Sequence, residues 1–149
     1  MDLILWRHAD AAEGYPDHQR ELTEKGRAQA KRMAQWLNKR LPEDAVILVS
    51  PTVRAQQTAQ ALKRAFATCS ALNTDTDSRA VLKTIGPPKA DGVTLMVGHQ
   101  PTLGQVASLL LTGVAGDLSV KKGAVWWITV RRERKSAGVL RAMMAPDML

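Results

Sequence analysis

Three short apolar runs decide what this chain can become. Asp2–Trp6 ends in LILW, Ala45–Ser50 reads AVILVS, and Val93–Val97 reads VTLMV; each has the length of a strand, and none alternates steadily between apolar and polar residues. A strand that is apolar throughout must be covered on both faces, which points to a parallel sheet sandwiched between helices. The segments between the runs supply those helices. LTEKGRAQAKRMAQWLNKRL places Ala30, Met33, Trp36, Leu37 and Leu41 on one stripe, with Thr23 as N-cap and Pro42 as a stop.

After the second run, SPTVRAQQTAQALKRAF predicts a helix that follows its strand directly, with Ser50 as N-cap and Pro51 at the first helical position. The third run leads into a helix opening at Pro101 and ending near Gly113. The polar stretch between Phe66 and Gly92, with Pro87-Pro88, reads as loop around a short strand at Ala80–Leu82. At the end, AVWWITV and GVLRAMM read as two strands joined by the charged turn Arg131–Lys135, with Trp126 and Ile128 on one face and Trp127 on the other. The expected fold is therefore α/β: a three-layer sandwich around a mainly parallel sheet.

The chain has 149 residues, room for one domain (1–149) with its own core. No stretch approaches the ~20 uninterrupted apolar residues of a membrane helix, and the N-terminus does not read as a signal peptide. A soluble cytoplasmic protein is expected, away from membranes. Cys69 is the single cysteine, so neither an intrachain disulfide nor a thiolate metal cluster is available, and a reducing compartment suits it. The formal charge of +7 fits an acidic protein partner, a phosphorylated ligand or nucleic acid. Nucleic acid is disfavoured, because aromatic residues make up only 4% of the chain and most sit in predicted strands rather than on a basic face.

The reactive side chains fall at the ends of the runs. Arg7 and His8 follow the first strand and His99 follows the third, while Arg54 lies in the first turn of the helix after the second. In an open α/β sheet these strand ends share one crevice, so Arg7, His8, Arg54 and His99 are expected to converge into a cationic pocket fed by helix N-termini. Taken alone, a histidine at a strand end is most often a surface or hydrogen-bonding group. An arginine in a first helical turn is electrostatically misplaced unless an anion offsets it. A dianion such as phosphate suits the pocket: one neutral imidazole attacks phosphorus while two arginines and a second imidazolium hold the oxygens, with no metal or other cofactor. His18 and Arg20 read as loop residues near the rim, Arg20 the more relevant of the two.

These motifs resemble the histidine phosphatase superfamily, whose members include phosphoglycerate mutases and acid phosphatases. RHADA is similar to its N-terminal Arg-His-Gly signature, LTEKGRAQA to the opening of its first helix, SPTVRAQQTA to its second arginine motif and VGHQPTL to its second histidine motif. The ending MMAPDML is also similar to the family, and small size, the absence of a cap insertion and the whole motif set point to the SixA-type phosphohistidine phosphatases. The resemblance implies a phosphoglycerate mutase-like fold. It makes His8 the phosphoryl acceptor, Arg7 and Arg54 the phosphate clamp and His99 the residue that completes the pocket. Ala9 departs from the family by standing where the signature has glycine.

A second departure bears on the substrate. Mutase-like members take a carboxylic acid from between the two middle motifs, and here Asp75, Asp77 and Asp91 are the only carboxylates from Ala55 to Val97. Loss of a general acid slows departure of an alkoxide by ~10²–10⁴, whereas an imidazole leaving group needs little neutralisation. A phosphohistidine-bearing protein, such as a histidine phosphotransfer domain, is thus the expected substrate. The alternatives are a phosphatase for small phosphate esters or anhydrides, with one of those aspartates as acid, and a phosphoprotein-binding module without turnover.

Overall fold

The computed structural model describes residues 1–86, 91–131 and 138–149. Its strands are β1 (Asp2–Arg7), β2 (Val46–Val49), β3 (Ala67–Thr68), β4 (Val93–Gly98), β5 (Val125–Thr129) and β6 (Val139–Met144); its helices are α1 (Glu24–Asn38), α2 (Val53–Gln60), α3 (Ser78–Ile85) and α4 (Thr102–Thr112). One mixed sheet runs in the spatial order β3-β2-β4-β1-β5-β6. The pairings β3–β2, β2–β4 and β4–β1 are parallel, and β1–β5 and β5–β6 are antiparallel. The three apolar runs are therefore adjacent strands, and β4 is inserted between the two that precede it in sequence.

That insertion sets the layers. The chain moves outward from β1 to β2 to β3 and then turns back to β4, and right-handed crossovers place helices before and after such a reversal on opposite faces. Met33, Ala34 and Leu37 of α1 and Ala55 and Ala59 of α2 pack with Ile4, Trp6, Ile47, Val49, Leu95 and Val97. Val81 of α3 and Leu103, Val106 and Ala107 of α4 pack with Leu3, Leu5, Met96 and Ile128 on the other face. Alternate residues of β1 thus enter different cores, which is why its run is apolar throughout. Trp127 joins the first core and Ile128 the second, as the spacing in WWI requires.

Two local expectations are corrected. Ala80–Leu82 is not a strand but the middle of α3, where Asp77 caps the helix by accepting from the Ala80 N–H at 2.9 Å. Val81, Leu82 and Ile85 have helical spacing, and the polar residues around them hid it. At α2, Thr52 rather than Ser50 occupies the N-cap position and makes no side-chain cap bond, so Pro51 precedes the helix instead of standing at its first position. The Ser50 hydroxyl instead accepts from the Thr52 N–H at 3.3 Å, a local turn that competes with capping and delays the helix by two residues. Thr23 does cap α1, accepting from the Gly26 N–H at 3.0 Å. Pro87-Pro88 and residues 132–135 of the expected charged turn lie outside the described residues.

The loop from β1 to α1 is fastened by contact between backbones. Thr23 N–H donates to the Asp10 carbonyl at 3.0 Å, and Gly26 packs so closely beneath Asp10 that a Cβ there would overlap the same oxygen. Gly26→Ala should therefore force this loop away from α1 and cost about 1–3 kcal/mol. A thermal melt reads this as a lower Tm; an unchanged Tm would show that the approach has slack.

Candidate functional site

Because β4 lies beside β1 with Arg7 opposite Gly98, the residues that follow the two strands emerge side by side. The His8 and His99 rings stand 5.1 Å apart at 55° to each other. β2 flanks β4 on its other side, so the helix after β2 delivers Arg54 to the same edge. Arg7, His8, Arg54 and His99 line one cavity of about 290 Å³, together with Glu13, Arg20, Gln100 and Lys122. His8, Arg54 and His99 are buried.

Each group is held by local bonds. His8 Nδ1 lies 2.7 Å from the Ala9 carbonyl oxygen; a carbonyl can only accept, so Nδ1 carries the proton and Nε2 keeps a free lone pair. Ala9 does not adopt a positive φ, a conformation that Lys63 alone shows among the described non-glycine residues. Its methyl group is buried, and its N–H donates to Thr58 Oγ1 at 3.0 Å. Alanine in the glycine position of the signature is thus accommodated without backbone strain. Arg7 Nη1 donates to the Val120 carbonyl at 2.9 Å. His99 Nε2 lies 2.8 Å from the Ser50 hydroxyl. Donation by that hydroxyl leaves the His99 proton on Nδ1.

Among the described residues, the buried side-chain nitrogens and oxygens without a hydrogen-bond partner are Arg7 Nε, Arg54 Nε and His99 Nδ1. All three belong to residues of this cavity. A buried donor left unpaired is costly, and three at one place describe a site shaped for a multivalent acceptor. Arg7, Arg20, Arg54 and Lys122 line the cavity with one carboxylate, Glu13; Asp17 pairs with Arg20 and Arg54 and Asp10 with Lys122 from outside the lining, and the net positive balance suits an anionic acceptor. No group of three or more His, Cys, Asp or Glu side chains suited to a metal ion occurs among the described residues.

The same surroundings set the protonation states. Burial, followed by the positive charge of Arg54, Arg7 and Arg20, pushes His8 down to about 4 against the opposing pull of the Ala9 carbonyl. Burial, followed by His8, Arg54 and Arg7, pushes His99 down to about 3, with Asp17 acting the other way. In the ligand-free cavity His99 is therefore neutral, and the second imidazolium expected from the sequence requires the negative charge of a bound anion to raise its pKa.

Several lining residues escaped the sequence reading. Glu13 and Lys122 lie in loops without a motif; Lys122 is placed by Asp10, 3.1 Å away. Gln100 stands within VGHQPTL and bonds Gly104 N–H and the Leu118 carbonyl, each at 2.8 Å. Arg20 reaches the rim, whereas His18 is not among the lining residues. The three aspartates weighed as acids are elsewhere or unassigned: Asp77 caps α3, Asp91 borders another cavity with Met1, and Asp75 is not among the lining residues.

The histidine shifts give a stability signature. Both rings stay neutral in the folded protein well below 6.5, the value near which they titrate when unfolded. The unfolded chain therefore binds more protons between pH 6.5 and about 4, so stability is fully present above that window and falls as the pH drops through it. Tm of the wild type should fall more steeply across that window than Tm of a His8→Gln/His99→Gln variant; parallel curves would contradict the buried neutral rings.

Comparison with known proteins agrees with this geometry. The profile of the histidine phosphatase superfamily (branch 1) matches residues 3–79. An uncharacterized protein of Picosynechococcus sp. is 34% identical over 136 residues, covering 84% of this chain and 82% of its own. Among solved structures, the protein histidine phosphatase SixA complexed with tungstate shares the fold with a TM-score of 0.86 at 24% identity, over 99% of each chain. A Nakamurella multipartitia protein assigned as a phosphohistidine phosphatase SixA gives 0.75 at 26% identity, over 97% of this chain and 95% of its own. With the paired histidines and arginines gathered at one sheet edge, the chain belongs to the histidine phosphatase superfamily, branch 1.

Proposed function

We propose that the protein is a metal-independent phosphohistidine phosphatase, which removes phosphate from a histidine of a partner protein such as a histidine phosphotransfer domain. The reading rests above all on one observation: His8, with its proton held on Nδ1, shares its cavity with three buried nitrogens, Arg7 Nε, Arg54 Nε and His99 Nδ1, that lack partners. His8 Nε2 attacks phosphorus, the new N–P bond forms as the substrate N–P bond breaks, and the substrate ring, protonated on its other nitrogen, leaves with the bonding pair as a neutral imidazole. The Ala9 carbonyl steadies the positive charge that grows on the His8 ring. Arg7, Arg54 and His99 donate to the oxygens in flight. Water then takes the phosphoryl group, releasing inorganic phosphate and restoring neutral His8.

Two features support a protein-borne imidazole as leaving group. Asp77 caps α3 and Asp91 borders another cavity, and the fold matches that of SixA over 99% of each chain. A cytoplasmic setting fits the lone thiol of Cys69 and such a partner. Glu13 favours a second reading: as the carboxylate that lines the cavity, it is placed to protonate an alkoxide, which would make the protein a phosphatase of small esters.

Brief reaction with labelled substrate followed by alkaline quench should leave acid-labile label on His8, and label on another residue would sink the mechanism. The leaving-group series separates the two readings. With phosphohistidine as substrate, turnover should exceed that of alkyl phosphates by ~10²-fold or more, persist in excess EDTA and change little in Glu13→Gln. Equal rates on an alkyl phosphate, lost in Glu13→Gln while the fold survives, would assign the protein to the ester phosphatases.

A further inference from the structure

Arg54 is almost sealed from solvent, yet the group that holds it comes from outside. The Arg54 side chain is 4% exposed, whereas that of Asp17, in the 3₁₀ turn Asp17–Gln19 of the β1–α1 loop, is 59% exposed. Arg54 Nη1 donates to the Asp17 backbone carbonyl at 2.9 Å, and Nη2 donates to Asp17 Oδ2 at 3.1 Å. One residue therefore occupies the Nη1/Nη2 edge of the guanidinium. The other oxygen, Oδ1, accepts from Arg20 Nε at 3.0 Å, and Arg20 Nη1 reaches the Ala12 carbonyl at 3.2 Å.

A guanidinium has two edges able to make a paired, parallel contact. With one taken, the remaining fork of Arg54 is the edge of Nε–H and the second Nη2–H, and Nε is one of the nitrogens left without a partner. We infer that Asp17 is the positioning residue of the phosphoryl site: it locks Arg54 so that its Nε/Nη2 edge faces the bound phosphoryl group, and it draws Arg20 to the same rim. The inference rests on the reading of the cavity as a phosphoryl site and is independent of which substrate carries the group.

Electrostatics give the reason for the arrangement. Arg7, Arg20, Arg54 and Lys122 line one small cavity, and Arg54 also sits in the first turn of α2, where the helix dipole opposes a cation. A carboxylate bridging two of the guanidiniums relieves their repulsion and fixes their relative position before any ligand arrives. Burial pushes the Asp17 carboxyl up, but bonds from Arg54 and Arg20 outweigh this and hold it below the usual carboxylate value. The bridge thus persists wherever His8 is neutral.

The test uses inorganic phosphate as the probe, so it does not depend on the phosphohistidine assignment. Asp17→Asn preserves shape and removes the charge at an exposed position, so Tm should move little while Kd for phosphate rises about tenfold. With phosphohistidine as substrate, kcat/KM should fall by a similar factor. In an Arg54→Ala background the same substitution should cost less than about twofold, because its action passes through that arginine. A second measurement needs no variant. The Arg54 Nη protons should be resolved by NMR in the wild type, through hindered rotation about Cζ–Nε, and averaged in Asp17→Asn. Unchanged phosphate affinity in Asp17→Asn overturns the inference, as does a penalty of equal size without Arg54. Tighter binding would make Asp17 a competitor of phosphate and overturns it as well. Failure of the wild type to bind phosphate at all would remove the phosphoryl site and the inference with it.

Discussion

The parallel pairing of β1 with β4 is the constraint on which the rest depends. It is a contact between segments some ninety residues apart in the chain, and nothing in either strand requires the other except burial on both faces. Once the register sets Arg7 opposite Gly98, the first residue beyond each strand is a histidine, and two imidazoles share one wall without any bond between them. A slip of one residue would send His8 to the other face of the sheet. Core packing on the two faces therefore doubles as the device that aligns the reactive groups.

What the core aligns, the charges tune. A buried imidazole ringed by guanidiniums cannot hold a proton near neutrality, and the same guanidiniums cannot remain close together without a counterion. The protein meets part of this need with its own carboxylates, Asp17 on Arg54 and Arg20 and Asp10 on Lys122. It leaves Arg7 Nε, Arg54 Nε and His99 Nδ1 unpaired. Among the described residues, the fully buried side-chain nitrogens and oxygens without a partner are these three, and all belong to residues that line the one cavity.

The large features were legible because they follow from periodicity and strand ends. Runs without alternation announced a covered parallel sheet, and residues just past such runs had to meet at one edge. What stayed hidden depends on contacts that no local pattern encodes. Ser50 looks like a helix cap until the neighbouring strand brings His99 to its hydroxyl. The helix Ser78–Ile85 has apolar residues on only part of one face, too few to stand out from a polar stretch. Glu13 and Lys122 reach the cavity, and Asp17 reaches Arg54, from connecting segments, where charge is common and position is decided by distant partners. The neutral state of His99 depends on burial depth, which only the packed structure provides.

One small feature reaches further than its size. In free histidine the two ring nitrogens compete for an electrophile, and phosphorylation yields a mixture of isomers. The 2.7 Å bond from His8 Nδ1 to the Ala9 carbonyl breaks that symmetry with a single backbone oxygen. Any electrophile that enters meets one nucleophilic atom, the nitrogen remote from the main chain. Regiochemistry at His8 is therefore decided before a substrate arrives, by a peptide group whose own side chain is only a methyl.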